Sequence, residues 1–451
     1  MLFRSNDTAT TEIYTFPYTT LFRSPKTDAD VWLVTAFAQY ERIVAGEHAL
    51  RERHEKNGDS HASLTSHDRE RLAAQLFAHR SSYLAGARAG AETTLAKTRA
   101  ELAQSDWYAV AAGKGVLVLH ELRRLLGQPA FEEALDSFGR QFAGKEVTST
   151  QFQTHLEKAT SKPLTDFFDY WLGQPGLPAI RLGEVSVTAN GNGNGCKVES
   201  ELLREVRAPR GSIDITLITA KGEETKTIVL ESPQTRFTFT TADRPQRLVA
   251  DKYGVTVKRD GGVFSVLSFH AELEHSLIVY GTLNEAAANC EAAESLQRCI
   301  IERHSNYTVS LKTDREVSDE DLKSHHLLLI GRPDSNALVE RFQKALPVTF
   351  GSRSFAVCHE TYAHPGSAVI AASVNPLNPR FSLVVLAGLS AESTFRAPAA
   401  LLKGGQVPAE VLVLPNGGKP RSLVVPARAL VKEFESTSIR SAQKAIGSDE
   451  Q

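Results

Sequence analysis

Apolar side chains in the first third of the chain recur at the spacing of a buried helix face. Leu33, Phe37, Tyr40 and Val44 stand at i, i+4, i+7 and i+11, which predicts a core-facing helix over residues 30–45. The charged text of residues 50–68 reads as a solvated helix end and loop. Leu72, Leu76, Phe77 and Tyr83 predict a second helix, and the Ala-rich residues 85–103 a third. The strongest stripe is Val118, Leu119, Leu122, Leu125 and Leu126, closed by Gly127. Phe131, Leu135, Phe138 and Phe142 repeat the pattern, and residues 148–151 offer an N-cap before Phe152, Leu156 and Ala159. Phe167, Phe168, Trp171 and Leu172 then make a last aromatic turn, ended by Pro175, Gly176 and Pro178. Up to Pro178 everything reads as helical.

At Arg181 the apolar period changes from 3.6 to 2. Val185 with Val187, then residues 198–206, 213–217, 227–230, 237–239 and 248–250, predict short strands, with the Asn-Gly run of 190–195 suited to a hairpin end. These strands imply a β-sandwich over residues 180–262. From Ser265 onward strands at 277–281, 327–331 and 383–388 alternate with helices over 285–304 and 335–345, which predicts an α/β domain over 265–437 with a largely parallel sheet. The tail, 438–451, reads as frayed. The expected fold class is multidomain α+β: a helical unit over 25–178, a β-sandwich, then a three-layer α/β domain.

Composition narrows the function classes. A length of 451 residues suggests about three domains. Fifty-one Lys and Arg against 53 Asp and Glu leave a net charge of −2, so the chain carries no electrostatic footprint for nucleic acid or an acidic membrane surface. No apolar run approaches the ~20 residues of a membrane span. Four cysteines form no C-x-x-C pair, and Cys290 and Cys299 read as buried thiols, with a bridge between them as the alternative. Met1 is the single methionine, which tilts the compartment toward periplasmic or secreted over cytoplasmic.

Three ordered phrases carry a resemblance. Lys114-Gly115 leads into Val118-Leu119-His120-Glu121-Leu122-Arg123-Arg124; Phe142, Gly144, Lys145, Val147, Thr148 and Phe152 follow; Phe167-Phe168 and Trp171-Leu172 then precede Gln174-Pro175-Gly176-Leu177-Pro178. Together they resemble the gluzincin aminopeptidases, the alanyl-aminopeptidase and leukotriene-hydrolase group of zinc metallopeptidases, at the end of their thermolysin-like catalytic domain and its helical extension. In that family a W-L-x-E-G-F-A-x-Y helix supplies a glutamate to zinc. Here the phrase is Trp32-Leu33-Val34-Thr35-Ala36-Phe37-Ala38-Gln39-Tyr40, so Thr35 stands at the ligand position. The family spacing would put the histidines of H-E-x-x-H near residues 12 and 16, which hold Glu12 and Phe16. A family Tyr-x-Lys-Gly, whose tyrosine donates to the oxyanion, reads Ala112-Gly113-Lys114-Gly115. Trp107 and Tyr108 lie four or five residues earlier and could enter the cleft, and Lys114 is kept. The resemblance thus implies the C-terminal portion of a zinc aminopeptidase-like protein, bacterial in type, catalytically inactive and without zinc in this chain. A peptide- or protein-binding scaffold is the alternative.

Residues 1–24 stand apart. Leu2-Phe3-Arg4-Ser5 recurs as Leu21-Phe22-Arg23-Ser24 around Thr-rich text without helical or strand period, which reads as translated sequencing-adapter sequence and a disordered, non-native leader. Other candidate chemistry is weaker. His54, His61 and His67 lack metal-ligand spacing and read as solvated surface, while His359 and His364 are one residue too far apart for a metal helix and follow strand-like text. Gly281 and residues 331–336 sit where α/β folds bind anions, but without G-x-G-x-x-G or a phosphate-loop lysine they read as tight turn plus N-cap. No G-x-S-x-G supports a serine hydrolase.

Overall fold

The computed structural model describes residues 22–56, 64–90, 92–100, 106–189, 195–303, 307–403 and 407–434. Its helical unit runs β1 (Phe22–Pro25), α1 (Val31–Lys56), α2 (Ser66–Ala89), α3 (Asp106–Leu126), α4 (Gln128–Gln141), β2 (Lys145–Val147), α5 (Ser149–Thr160) and α6 (Thr165–Gly173). The helix α3 carries the strongest apolar stripe and passes between α1 and α2, and two glycines make that possible. A Cβ on Gly113 would stand 2.8 Å from the His79 carbonyl oxygen of α2, and one on Gly115 would stand 2.7 Å from the Ala36 Cβ of α1. Gly127 ends α3 at φ +89°, a conformation that excludes most side chains. Behind these helices Phe37, Phe131, Phe138, Phe152 and Phe168 are all buried, with Phe138 and Phe152 meeting edge to face at 5.0 Å.

Four features depart from the sequence expectation here. The helix α1 continues to Lys56, because Ile43, Glu47 and Leu50 still face the core. Residues 85–100 do not form a third helix: α2 stops at Gly90, and residues 92–100 carry no helix or strand apart from one 3-10 turn at Leu95–Lys97, while 101–103 lie outside the described residues. Ala-rich composition there yields to Gly90 and to the Thr93-Thr94 pair, both poor continuers of a helix. The unit is not wholly helical either, since β1 and β2 pair in parallel, Ser24 opposite Glu146 and Pro25 opposite Val147. Phe22 to Ser24, expected within the disordered leader, therefore belong to a sheet; residues 1–21 lie outside the described residues.

The sandwich contains β3 (Ile180–Leu182), β4 (Ser186–Ala189), β5 (Cys196–Arg204), β6 (Gly211–Thr219), β7 (Gly222–Leu230), β8 (Gln234–Thr241) and β9 (Pro245–Ala250). One sheet has β5 paired with β3 and β4 along one edge and with β8 along the other. The second has β6 between β7 and β9. Alternate residues Ile213, Ile215 and Leu217 face Val198, Leu202 and Phe239 across the core. Most of the Asn-Gly run, residues 190–194, lies outside the described residues.

In the α/β unit come β10 (Ser276–Tyr280), α7 (Ala286–Arg303), β11 (Ser310–Thr313), α8 (Asp319–Ser324), β12 (His326–Ile330) and α9 (Ala337–Phe342). A small sheet, β13 (Thr349–Phe350), β14 (Phe355–Val357) and β15 (Glu360–Tyr362), follows. Then come β16 (Ala368–Val374), β17 (Ser382–Gly388), α10 (Ala391–Lys403), β18 (Val411–Leu414) and β19 (Arg421–Leu423). The main sheet has the order β11-β10-β12-β17-β16-β18-β19. Its first four strands are parallel and its last three antiparallel, so the sheet is mixed, not largely parallel. Ile278, Leu328 and Val384 face the α7 and α10 side, while Leu277, Leu327 and Leu383 face the α9 side. That double burial hid strand direction from the sequence, because all these strands are apolar on both faces. A last strand, β20 (Val431–Glu433), returns to pair with β9, so the chain re-enters the sandwich before residue 437. Residues 435–451, including the expected tail, lie outside the described residues.

Candidate functional site

Thr35 lies half-buried on the second turn of α1. Its hydroxyl donates to the main-chain oxygens of Val31 and Trp32, at 3.0 and 3.1 Å, one turn back along its own helix. Next to it Trp32 is fully buried and donates from Nε1 to Ser149 Oγ at 3.0 Å. Asp30 accepts from Ser149 N and Oγ at 2.6 and 2.9 Å, which fixes the start of α1 against the start of α5. Thr35 is thus rigidly placed, with its proton already committed.

On α3, Ala112 is buried, its side chain a single methyl group. Lys114 is almost fully buried, and its ammonium donates to the Gln174 carbonyl at 2.5 Å while lying 5.7 Å from the Tyr83 ring centre. Burial pushes its amine down to about 8, against the opposing pull of Glu92. Tyr83 donates to Glu92 Oε1 and accepts from Gly176 N, each at 3.0 Å. Lys114 and Tyr83 together hold α2 and α3 to the Gln174-Pro175-Gly176 turn. Sequence reasoning kept Lys114 as a site residue and missed Tyr83 and Glu92, whose partners lie far along the chain. Trp107 and Tyr108 meet edge to face at 5.7 Å on the first turn of α3, with Tyr108 46% exposed.

The histidines have ordinary occupations. His54 Nε2 lies 2.8 Å from Asp68 Oδ2 inside the capping box of α2, and His67 is 3.6 Å from Glu70. His61 lies outside the described residues. His359 and His364 flank the strand β15, not a helix; His359 is 3.2 Å from Glu433, and His364 Nδ1 accepts from Gly366 N. His120, on α3, pairs through Nδ1 with Tyr40 at 3.3 Å, and burial pushes it down to about 3, so it is neutral at pH 7. Nearby, burial opposes ionisation of Glu47, yet hydrogen bonds from Arg123 and Arg51 hold it below the usual carboxylate range.

These positions do not fit a zinc ion. Zinc in a catalytic site takes three protein donors, nitrogen or anionic oxygen among them. Thr35 supplies a neutral hydroxyl already bonded to its own helix, and among the described residues no group of three or more His, Cys, Asp and Glu is arranged to hold a metal ion. The anion crevice of the α/β unit is also closed. Asn336 fills it, donating to the Val279 and Ile330 oxygens and accepting from Leu338 and Val339 N, and a Cβ on Gly281 would stand 2.2 Å from the Ser335 oxygen.

The helical unit is nonetheless matched by sequence: residues 26–171 match the peptidase family M1 domain. Residues 26–171 are therefore similar to the gluzincin aminopeptidases. Over 72 residues it is 32% identical to Aminopeptidase N of Lactococcus lactis subsp. lactis, a stretch covering 16% of this chain and 8% of that enzyme. A solved structure, that of Legionella pneumophila aminopeptidase A in complex with aspartic acid, aligns at a TM-score of 0.31 and 17% identity over 56% of this chain and 29% of that one. The M1 match begins four residues after Phe22 and ends at Trp171, so it spans the helical unit only.

Proposed function

We propose that this metallopeptidase-like chain is catalytically inactive, corresponding to a C-terminal portion of an aminopeptidase that keeps the M1 scaffold and has lost its chemistry. The commitment of the Thr35 hydroxyl to the Val31 and Trp32 carbonyls carries this reading, because a side chain so bonded offers no anionic oxygen to a metal. Ala112 supports it independently, since a methyl group cannot donate to an oxyanion. A second reading, a non-catalytic scaffold that binds peptide or protein, is favoured by the same two residues together with the intact packing around them. Metal analysis after zinc loading and desalting, with an amino-acid anilide assay, tests the inactive reading. Substoichiometric zinc and no hydrolysis are expected, in the wild type and in Thr35→Glu alike. One tightly held zinc per chain would overturn it.

A further inference from the structure

Where the helical unit meets the sandwich there is a cleft of about 750 Å³. That lies in the ~300–1,000 Å³ range of sites that take drug-sized ligands, room for a short stretch of chain. Leu125, Leu164 and Phe167 lie beneath it, and each side carries both signs, with acid predominating on the first, where Lys162 also stands, and base on the second, where Glu231 stands. The helix α6 contributes Asp166 and Asp169, both exposed. The connection between β5 and β6 contributes Arg204, Arg207 and Arg210. Arg204 gives its hydrogen bonds to the main-chain oxygens of Ser232, Ala208 and Pro209, none to a carboxylate. The like charge of Arg210 acts on it as well. Between these arginines Val206 is 80% exposed and lines the same cleft.

The two aspartates and the three guanidinium groups line one cleft yet form no ion pair with each other, so each side presents charge to an incoming group. We infer that the cleft docks an extended peptide segment of mixed charge. Basic side chains of the segment meet Asp166 and Asp169, acidic ones meet Arg207 and Arg210, and an aliphatic one lies on Val206. A segment carrying both signs satisfies both walls, whereas one of a single sign meets mostly like charge on one of them. The site uses neither Thr35 nor Ala112 and stands whether or not the chain hydrolyses peptides.

A phage-displayed random dodecapeptide library, panned on the immobilised full chain, tests this. The expected enrichment is for peptides carrying both acidic and basic residues. The leading peptide, labelled and titrated by fluorescence anisotropy, should bind at least ten-fold more weakly to Arg207→Glu/Arg210→Glu and to Asp166→Lys/Asp169→Lys. All four side chains are exposed, so thermal midpoints should stay within about 2 °C of the wild type. If a reversal unfolds the chain, Arg207→Gln/Arg210→Gln replaces it with the same expected direction. No enrichment over bare support, or a leading peptide that binds both reversed variants as tightly as the wild type, overturns the proposal. So does enrichment of purely acidic peptides indifferent to Asp166→Lys/Asp169→Lys, which would mark a plain anion site.

Discussion

Replacing Gly115 and Gly46 by alanine, one at a time, separates packing from backbone propensity. Both glycines lie inside helices, so each substitution gains about 1 kcal/mol of helix propensity. Their surroundings differ. A Cβ on Gly46 meets nothing nearer than Gln75 Oε1 at 4.0 Å, an ordinary contact. A Cβ on Gly115 meets the Ala36 Cβ at 2.7 Å, the Trp32 oxygen at 3.1 Å and Trp32 Cε3 at 3.2 Å. Carbon atoms pack best at ~3.5–4.0 Å, so α1 must retreat by about 1 Å, while Trp32 is pinned by its bond to Ser149. Overpacking of this kind costs ~1–3 kcal/mol. Because the propensity gain is common to both variants, that strain is the whole difference between them. At ~2–4 °C per kcal/mol for a unit of this size, Gly115→Ala should melt roughly 2–12 °C below Gly46→Ala, with Gly46→Ala at or above the wild type. Trp32, Trp107 and Trp171 are the three tryptophans and all lie in the helical unit, so intrinsic fluorescence reports its melting alone. Equal midpoints for the two variants would refute the idea that α3 is threaded between its neighbours by glycine.

Three further outcomes are expected. Lys114 titrates lower in the fold, about 8, than the 10.5 of a free lysine, so the unfolded chain holds the proton longer; wild-type stability should rise relative to Lys114→Met between about pH 8 and 10.5, read as urea midpoints. Burial pushes Glu410 up to about 7 from 4.5, so the native state holds a proton that the unfolded state has released; wild-type stability falls as pH rises through that window, and the thermal midpoint of Glu410→Gln should gain on it from pH 5 to 8. Arg421 joins α2 to the α/β unit through Glu70, at 2.7 Å, and Glu360, with 23% of its side chain exposed; Arg421→Ala should cost ~0.5–1 kcal/mol in denaturant titration, less in 1 M NaCl.

Much of the helical unit was legible because its core is written at one period: the stripes at Phe131, Phe138, Phe152 and Leu122 are buried as the 3.6 spacing requires. The N-cap at residues 148–151 was legible for the same local reason, and the structure makes it a capping box of Thr148 and Gln151. What failed to show was non-local. The sheet of β1 and β2 joins residues about 120 apart, too far for a local pattern to show. In β16, Ala368–Val374 is buried on both faces and reads the same whether parallel or antiparallel. Thr35 was located from the phrase around it, but the direction of its hydroxyl depends on helix geometry that no spacing encodes. Tyr83, Glu92 and Gln174 meet Lys114 across 22 to 60 residues, too far for any local pattern to announce.

The return of β20 to β9 has a consequence for how the protein is made. The sandwich sheet of β6, β7 and β9 is completed only by residues lying beyond Leu430, made after the whole α/β unit. At synthesis rates of ~5–20 residues per second, the 180 residues between Ala250 and Val431 leave the outer edge of β9 open for roughly 10 to 40 s. For that interval the nascent chain offers neighbours on the same message an unfilled strand position, and residues 431–433 are the ones that withdraw it.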